Sequence, residues 1–85
     1  MSPRLSSLTT LSLANNGLDQ VPESIGELHN IKCLDLSQND LRDLPTSMGQ
    51  LQRLEEINLR GNLKLTDRAI ATLKARVPGI VVFSP

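Results

Sequence analysis

The sequence predicts an α/β solenoid, in which short parallel strands stack side by side and one helix covers the C-terminal end of the core. Three observations predict this fold. The stretch Leu-Asp-Leu-Ser-Gln-Asn-Asp-Leu at 34–41 recurs in related form 23 residues upstream and 23 residues downstream. Apolar residues alternate with polar ones inside each copy, as in a strand with one buried face. A single helical pattern follows the third copy. Units of this length bury their apolar faces only against their neighbours, so they stack.

Three apolar columns at the 23-residue period place the strands. The columns are Leu8, Ile31, Leu54 and Val77; Leu11, Leu34, Ile57 and Ile80; and Leu13, Leu36, Leu59 and Val82. Apolar residues two positions apart lie on the same side of a strand, and here that side faces the core. The columns therefore predict strands near 10–14, 33–37, 56–60 and 79–83.

Polar and turn-forming residues recur between the strands. Asn16, Asn39 and Asn62 lie where the chain must leave each strand, and a side-chain amide can satisfy backbone groups there. Proline and glycine delimit the return segments, at 22 and 26 and again at 45 and 49. Proline favours the first turn of a helix and glycine its end. With so few residues between them, we expect short 3₁₀ or irregular turns.

The pattern Leu-x-x-Leu-x-Leu-x-x-Asn-x-Leu, which begins at Leu8 and again at Ile31, resembles the leucine-rich repeat family. The return segments are similar to the Leu-Pro-x-x-Ile-Gly type found in intracellular members such as the Ras-binding group. The resemblance covers about residues 5–62. It implies that the asparagines form a ladder between successive coils, and that protein partners bind the concave face of the sheet.

The third repeat departs from the two before it. Its apolar residue falls at Leu65, one position later than the period requires, and Arg68 replaces the proline. Thr66 or Asp67 can cap a helix near 67–76. The apolar stripe of this helix is Ala69, Ile70, Leu73 and Val77. This segment resembles the helix-bearing repeats of F-box-associated proteins, which implies a C-terminal capping helix. We therefore expect a single domain over 1–85, without a full cap in residues 1–7.

Composition excludes several classes of protein. Nine basic and nine acidic residues leave no net charge, which argues against nucleic acid or an anionic membrane as the partner. No apolar run approaches the roughly 20 residues of a membrane-spanning helix. Cys33 is the only cysteine, so an internal disulfide is excluded and a reducing compartment is favoured. We expect an intracellular, cytoplasmic protein.

The sequence contains no pattern that predicts catalysis, and we expect neither an enzyme nor a cofactor. Its Ser, His and acidic residues show no catalytic-triad arrangement beyond what chance would give. It has no glycine-rich phosphate loop and no histidine or cysteine cluster with metal-ligand spacing. Asp35 and Glu56 could lie side by side on neighbouring strands. On an open, solvated surface they would lack the burial that acid–base catalysis requires.

The polar strand residues face away from the core and form the predicted partner-binding surface. At the 23-residue period their columns are Thr10, Cys33, Glu56 and Gly79; Ser12, Asp35, Asn58 and Val81; and Ala14, Ser37, Arg60 and Phe83. The predicted site residues are Thr10, Ser12, Cys33, Asp35, Ser37, Glu56, Asn58, Arg60, Val81 and Phe83. The alternative is that these are ordinary solvent-facing positions. Phe83, the only aromatic residue, either meets a partner or packs against the helix.

Two functions fit the sequence. The first is a non-catalytic interaction module, or adaptor, that binds a protein partner through the concave face. The resemblance to the Ras-binding group implies a small GTPase or another signalling protein. The second is a structural subunit or fragment of a larger leucine-rich repeat protein or complex, which binds through its open ends and self-associates through its terminal repeats.

Overall fold

The computed structural model describes residues 8–83, and these form one parallel sheet backed by short turns and a helix. The strands are β1 (Thr10–Ser12), β2 (Cys33–Asp35), β3 (Glu56–Asn58) and β4 (Val81–Phe83). They lie in chain order in the sheet, and each is parallel to the next. This is the α/β solenoid that the sequence predicts. The prediction of an incomplete N-terminal cap falls on residues 1–7, outside the described residues.

The first three strands are shorter than expected because the backbone turns soon after each of them. Asn15, Gln38 and Gly61 occupy the same place in consecutive repeats, and all three have positive φ, at 60°, 57° and 82°. Hydrogen bonds between repeats nevertheless continue past the strands, for example from the Gln38 N–H to the Arg60 carbonyl at 2.7 Å. The segments therefore stay side by side up to the left-handed residue.

The fourth strand does not follow the 23-residue period. Thr10 lies opposite Cys33, and Cys33 opposite Glu56, but Glu56 lies opposite Val81, an offset of 25 residues. The sequence predicted that Gly79 would lie opposite Glu56 and that β4 would begin at Gly79. This prediction is wrong by two residues. The cause is the length of the third return segment, because a helix and the turn that ends it need more chain than a 3₁₀ turn.

The first two return segments contain 3₁₀ turns that stack on each other. The turns span Glu23–Glu27 and Thr46–Gln50, and each follows a proline in extended conformation. A Cβ atom built on Gly26 would lie 2.7 Å from the Ser47 carbonyl oxygen. Real Cβ atoms do not approach backbone so closely, so the stacking requires glycine at this position.

Helix α1 (Asp67–Arg76) replaces the 3₁₀ turn in the third repeat. The Thr66 hydroxyl caps it by accepting a hydrogen bond from the Ala69 N–H at 3.2 Å. An acidic residue in its first turn and basic residues in its last turn complement the helix dipole. Its buried residues are Ala69, Ile70 and Leu73. The helix packs beside the Thr46–Gln50 turn and covers the C-terminal side of the core.

The core is a single apolar cluster that is most deeply buried in the second and third repeats. Within residues 8–83, six apolar residues of this core have no exposed surface: Ile31, Leu36, Leu41, Leu51, Ile57 and Leu59. Leu8, Leu11, Leu13 and Leu18 of the first repeat are only half-buried. The repeats in the middle of the stack therefore supply most of the apolar burial.

Buried asparagines join neighbouring repeats, as the family resemblance implies. The Asn39 side chain accepts a hydrogen bond from the Leu18 N–H at 3.0 Å. It donates to the Leu13 and Leu36 carbonyl groups at 3.0 and 2.9 Å. Asn62 makes corresponding contacts one repeat later. Each amide therefore satisfies backbone groups that would otherwise be buried without partners.

Candidate functional site

Two rows of side chains project from the side of the sheet that faces away from the core. The first row is Thr10, Cys33, Glu56 and Val81, and the second is Ser12, Asp35, Asn58 and Phe83. Side chains alternate along a strand, so the buried Leu34 and Ile57 between the rows point to the opposite side. We call the surface formed by these two rows the open sheet face.

A hollow of about 280 Å³ lies in the open sheet face. Seven of the ten predicted site residues line it: Thr10, Ser12, Cys33, Asp35, Glu56, Asn58 and Phe83. Atoms of Leu11 and Leu34 also line it. All four strands therefore contribute to one concave site.

The other three predicted site residues, Ser37, Arg60 and Val81, do not line the hollow. Ser37 donates to Oδ1 of Asp35 from its N–H at 3.0 Å and from its hydroxyl at 2.7 Å. The Arg60 guanidinium carbon lies 5.1 Å from the centre of the Phe83 ring. This is a cation–π distance. Val81, at the edge of the sheet, is 50% exposed.

Asp35 and Asn58 help to shape the end of their strands. Each side-chain oxygen accepts a hydrogen bond from the backbone N–H two residues later, at Ser37 and Arg60 respectively. The carboxylate of Asp35 is therefore held in one orientation beside the hollow. Phe83 and Arg60 meet although Phe83 lies opposite Asn58 and not, as the period predicted, opposite Arg60.

The sequence did not predict the composition of the hollow in full. The two-residue shift of β4 places Val81 beside Glu56 and Phe83 beside Asn58. The late position of Leu65 was a signal that the third repeat is longer than the others. A second groove, of about 310 Å³, lies between the second return segment and α1, and Arg68 and Arg76 line it. No periodicity could have predicted this groove, because it depends on how the helix packs.

The described part of the chain contains neither a candidate metal-binding cluster nor a candidate membrane-spanning helix. Within residues 8–83, no three His, Cys, Asp or Glu side chains are grouped so that they could hold a metal ion. No helix in the same range has the length and apolar character needed to cross a membrane.

Comparison with known families accounts for the repeat. A sequence model of the Leucine rich repeat family matches residues 6–63, more than half of the chain. The chain belongs to the leucine-rich repeat family. Leucine-rich repeat domains generally mediate protein–protein interactions.

A solved structure supports the same fold. This leucine-rich repeat chain is similar to the leucine-rich repeat domain of the type III effector XopL, with 33% sequence identity and a TM-score of 0.67. The match covers 72% of this chain and 21% of the effector chain, so this chain corresponds to a small part of that structure. No curated protein matches the chain significantly.

Proposed function

We propose that this leucine-rich repeat protein is a non-catalytic interaction module, or adaptor, that binds a protein partner through the open sheet face. The observation that carries the proposal is the hollow, which is lined from all four strands. Its polar and aromatic side chains lie outside the buried core. They are therefore available for contacts with another molecule.

The core and the asparagines support this surface from behind. Leu34 and Ile57, between the two rows, are 2% and 0% exposed, and Asn39 connects the first repeat to the second. A surface held in this way is ordered before a partner arrives, so binding loses less conformational entropy. Arg60 on Phe83 adds an arginine–aromatic pair, a composition typical of the residues that dominate binding energy.

The size of the molecule indicates how much of it a partner would cover. A stable interface buries about 800 Å² on each partner, which is about a seventh of the 5467 Å² surface of this chain. The partner would therefore cover more than the hollow and reach Ser37 and Arg60 around it. The similarity of the return segments to the Ras-binding group supports a small GTPase or another signalling protein in the cytoplasm as this partner.

A matched pair of substitutions tests the open sheet face. Ser12 lines the hollow, whereas Ser24 lies in the first 3₁₀ turn, and both are exposed. Ser12→Trp should weaken partner binding by about tenfold or more, equivalent to about 1.4 kcal/mol, because the indole occupies the hollow. Ser24→Trp should leave binding unchanged.

The measurement is quantitative mass spectrometry of proteins captured from cell extract by the wild type and both variants, followed by titration of the purified partner. Circular dichroism should show that all three proteins are folded. Equal affinity of the wild type and Ser12→Trp for the same partner would contradict the proposal. It would favour the alternative, in which binding occurs at the ends of the solenoid, where the half-buried leucines of the first repeat lie.

A further inference from the structure

Among residues 8–83, the charged groups that line the hollow are two carboxylates. Asp35 on β2 is half-buried, and Glu56 on β3 is exposed. Glu56 lies opposite Cys33, and Asp35 lies opposite Asn58, so the two carboxylates are diagonal neighbours on adjacent strands. No lysine, arginine or histidine of the described residues lines the hollow with them.

Most of the acceptor capacity of these carboxylates is unused within residues 8–83. Ser37 donates both of its hydrogen bonds to Oδ1 of Asp35. Oδ2 of Asp35 and both oxygens of Glu56 have no hydrogen-bond or ion-pair partner among those residues. In the free protein, water solvates these oxygens. A partner that covers the hollow removes that water, and uncompensated burial of a carboxylate is costly.

Phe83 forms an aromatic wall beside the carboxylates. The face of an aromatic ring attracts cations, and in this structure the Arg60 guanidinium already lies over the Phe83 ring at 5.1 Å. Arg60 itself does not line the hollow. Arg60 is therefore engaged on the ring, and no basic side chain of residues 8–83 lines the hollow as a counter-ion for the carboxylates.

We infer that the hollow receives one basic side chain, an arginine or a lysine, from the partner protein. This inference rests on the proposed function and specifies the chemistry of the partner. A basic side chain compensates both carboxylates when water is excluded, and its donors match their free oxygens. At about 280 Å³ the hollow is smaller than the 300–1,000 Å³ pockets that hold drug-sized ligands, and its size suits a single long side chain.

The charge of the rest of the chain favours the same partner. Residues 1–59, which include β1 to β3, contain eight acidic and four basic side chains. A negative surface accelerates encounter with a basic partner and makes the association sensitive to salt. Residues 60–85 contain the remaining basic side chains. Most of these belong to α1 and the loop before it, away from the open sheet face.

Two double variants of equal charge test the inference. Asp35→Asn/Glu56→Gln removes both negative charges from the hollow, and the asparagine keeps the oxygen that accepts from Ser37. The control, Glu23→Gln/Asp43→Asn, removes the same two charges from exposed positions beside the return segments. Both variants change side chains that are not part of the core, and equal unfolding midpoints verify their folding.

The probe is a phage-displayed library of random peptides that is selected for binding to the wild-type chain. The selected peptides are then screened, and those that fail to bind the Ser12→Trp variant are called Ser12→Trp-sensitive. Synthetic peptides are then titrated by fluorescence anisotropy. We expect the Ser12→Trp-sensitive peptides to share an arginine or lysine whose replacement by glutamine abolishes binding. Their affinity for Asp35→Asn/Glu56→Gln should fall about tenfold or more, while the control stays within about twofold of the wild type.

The remaining outcomes separate the inference from the function on which it rests. Ser12→Trp-sensitive peptides without a basic residue, or with equal affinity for Asp35→Asn/Glu56→Gln, would overturn the inference and leave the open sheet face as the binding site. A selection that yields no Ser12→Trp-sensitive peptide would count against the open sheet face itself, and the inference would fail with it.

Discussion

Two asparagines at the same position of consecutive repeats have different roles. Asn39 is 4% exposed, and its side chain accepts from the Asn16 and Leu18 N–H groups while it donates to carbonyl groups of both repeats. Asn16 is exposed, and within residues 8–83 its side chain donates only to the nearby Ala14 carbonyl, at 3.3 Å. Sequence periodicity gives both residues the same place, but only Asn39 satisfies buried groups of a preceding repeat.

Asn39→Ala should therefore destabilise the protein far more than Asn16→Ala. A buried polar group without a partner costs about 1–3 kcal/mol, and Asn39→Ala leaves several such groups, so we expect a loss of at least about 2 kcal/mol. Asn16→Ala should cost less than about 0.5 kcal/mol, as exposed substitutions do. Urea denaturation of both variants measures the difference. Equal losses would show that the Asn39 bonds add no net stability.

At the scale of elements, the return segments differ in how closely they approach their neighbours. The Glu23–Glu27 turn stacks on the Thr46–Gln50 turn backbone to backbone, at Gly26. The Thr46–Gln50 turn meets α1 through side chains, and a Cβ atom on Gly49 would lie 3.3 Å from Cβ and Cδ of Arg76. The glycines in the sequence predicted where each turn ends. They did not predict that the contact at Gly26 is much tighter than the contact at Gly49.

Substitution of the two glycines by alanine should reveal the difference between these contacts as a difference in the free energy of unfolding. Gly26→Ala places a methyl group 2.7 Å from the Ser47 carbonyl oxygen, which the backbone can relieve only by moving the two turns apart. We expect a loss of about 1–3 kcal/mol, as for overpacked cores. Gly49→Ala meets the Arg76 side chain and should cost less than about 1 kcal/mol. The unfolding free energies of both variants in urea provide the measurement, and a larger loss for Gly49→Ala would contradict this account of the stacking.

At the scale of the whole molecule, the sequence predicted the structural features that recur with the repeat. It predicted only some of the features that belong to one repeat alone. The apolar columns predicted Leu34, Leu36 and Ile57 in the core, because repeats stacked on both sides by similar repeats bury corresponding positions. Helix α1 was predicted over 67–76 and spans Asp67–Arg76. The register of β4 could not be derived, because the period contains no information on the length of a helix-bearing return. The open sheet face was predicted as a surface, but its hollow depends on side-chain packing across all four strands.

One core cluster contains both the sheet residues and the helix residues, so the chain should unfold as a unit. Leu36 of the second repeat and Leu73 of α1 are 0% and 3% exposed. Leu36→Ala and Leu73→Ala should each cost about 2–5 kcal/mol and lower the midpoint of a single transition.

Two probes can detect this cooperativity. Circular dichroism follows α1, and hydrogen exchange follows the backbone amides of β2 and β3. Both signals should shift together in each variant, with an unchanged denaturant slope. If Leu73→Ala unfolded α1 while the sheet amides stayed protected at the wild-type level, the helix would be an independent unit.

The two rows of the open sheet face differ in how freely they can change over evolution. Cys33 and Glu56 have no side-chain hydrogen bond within residues 8–83, so under the proposed function their replacement would alter what the hollow recognises without removing a hydrogen bond of the fold. Asp35 and Asn58 each hold a backbone N–H at the end of a strand, so their replacements must keep a short side chain with an accepting oxygen. If the open sheet face binds a partner as proposed, mutations in the first row alter specificity while the second row preserves the shape of the sheet. New binding preferences can arise in this protein with little loss of stability.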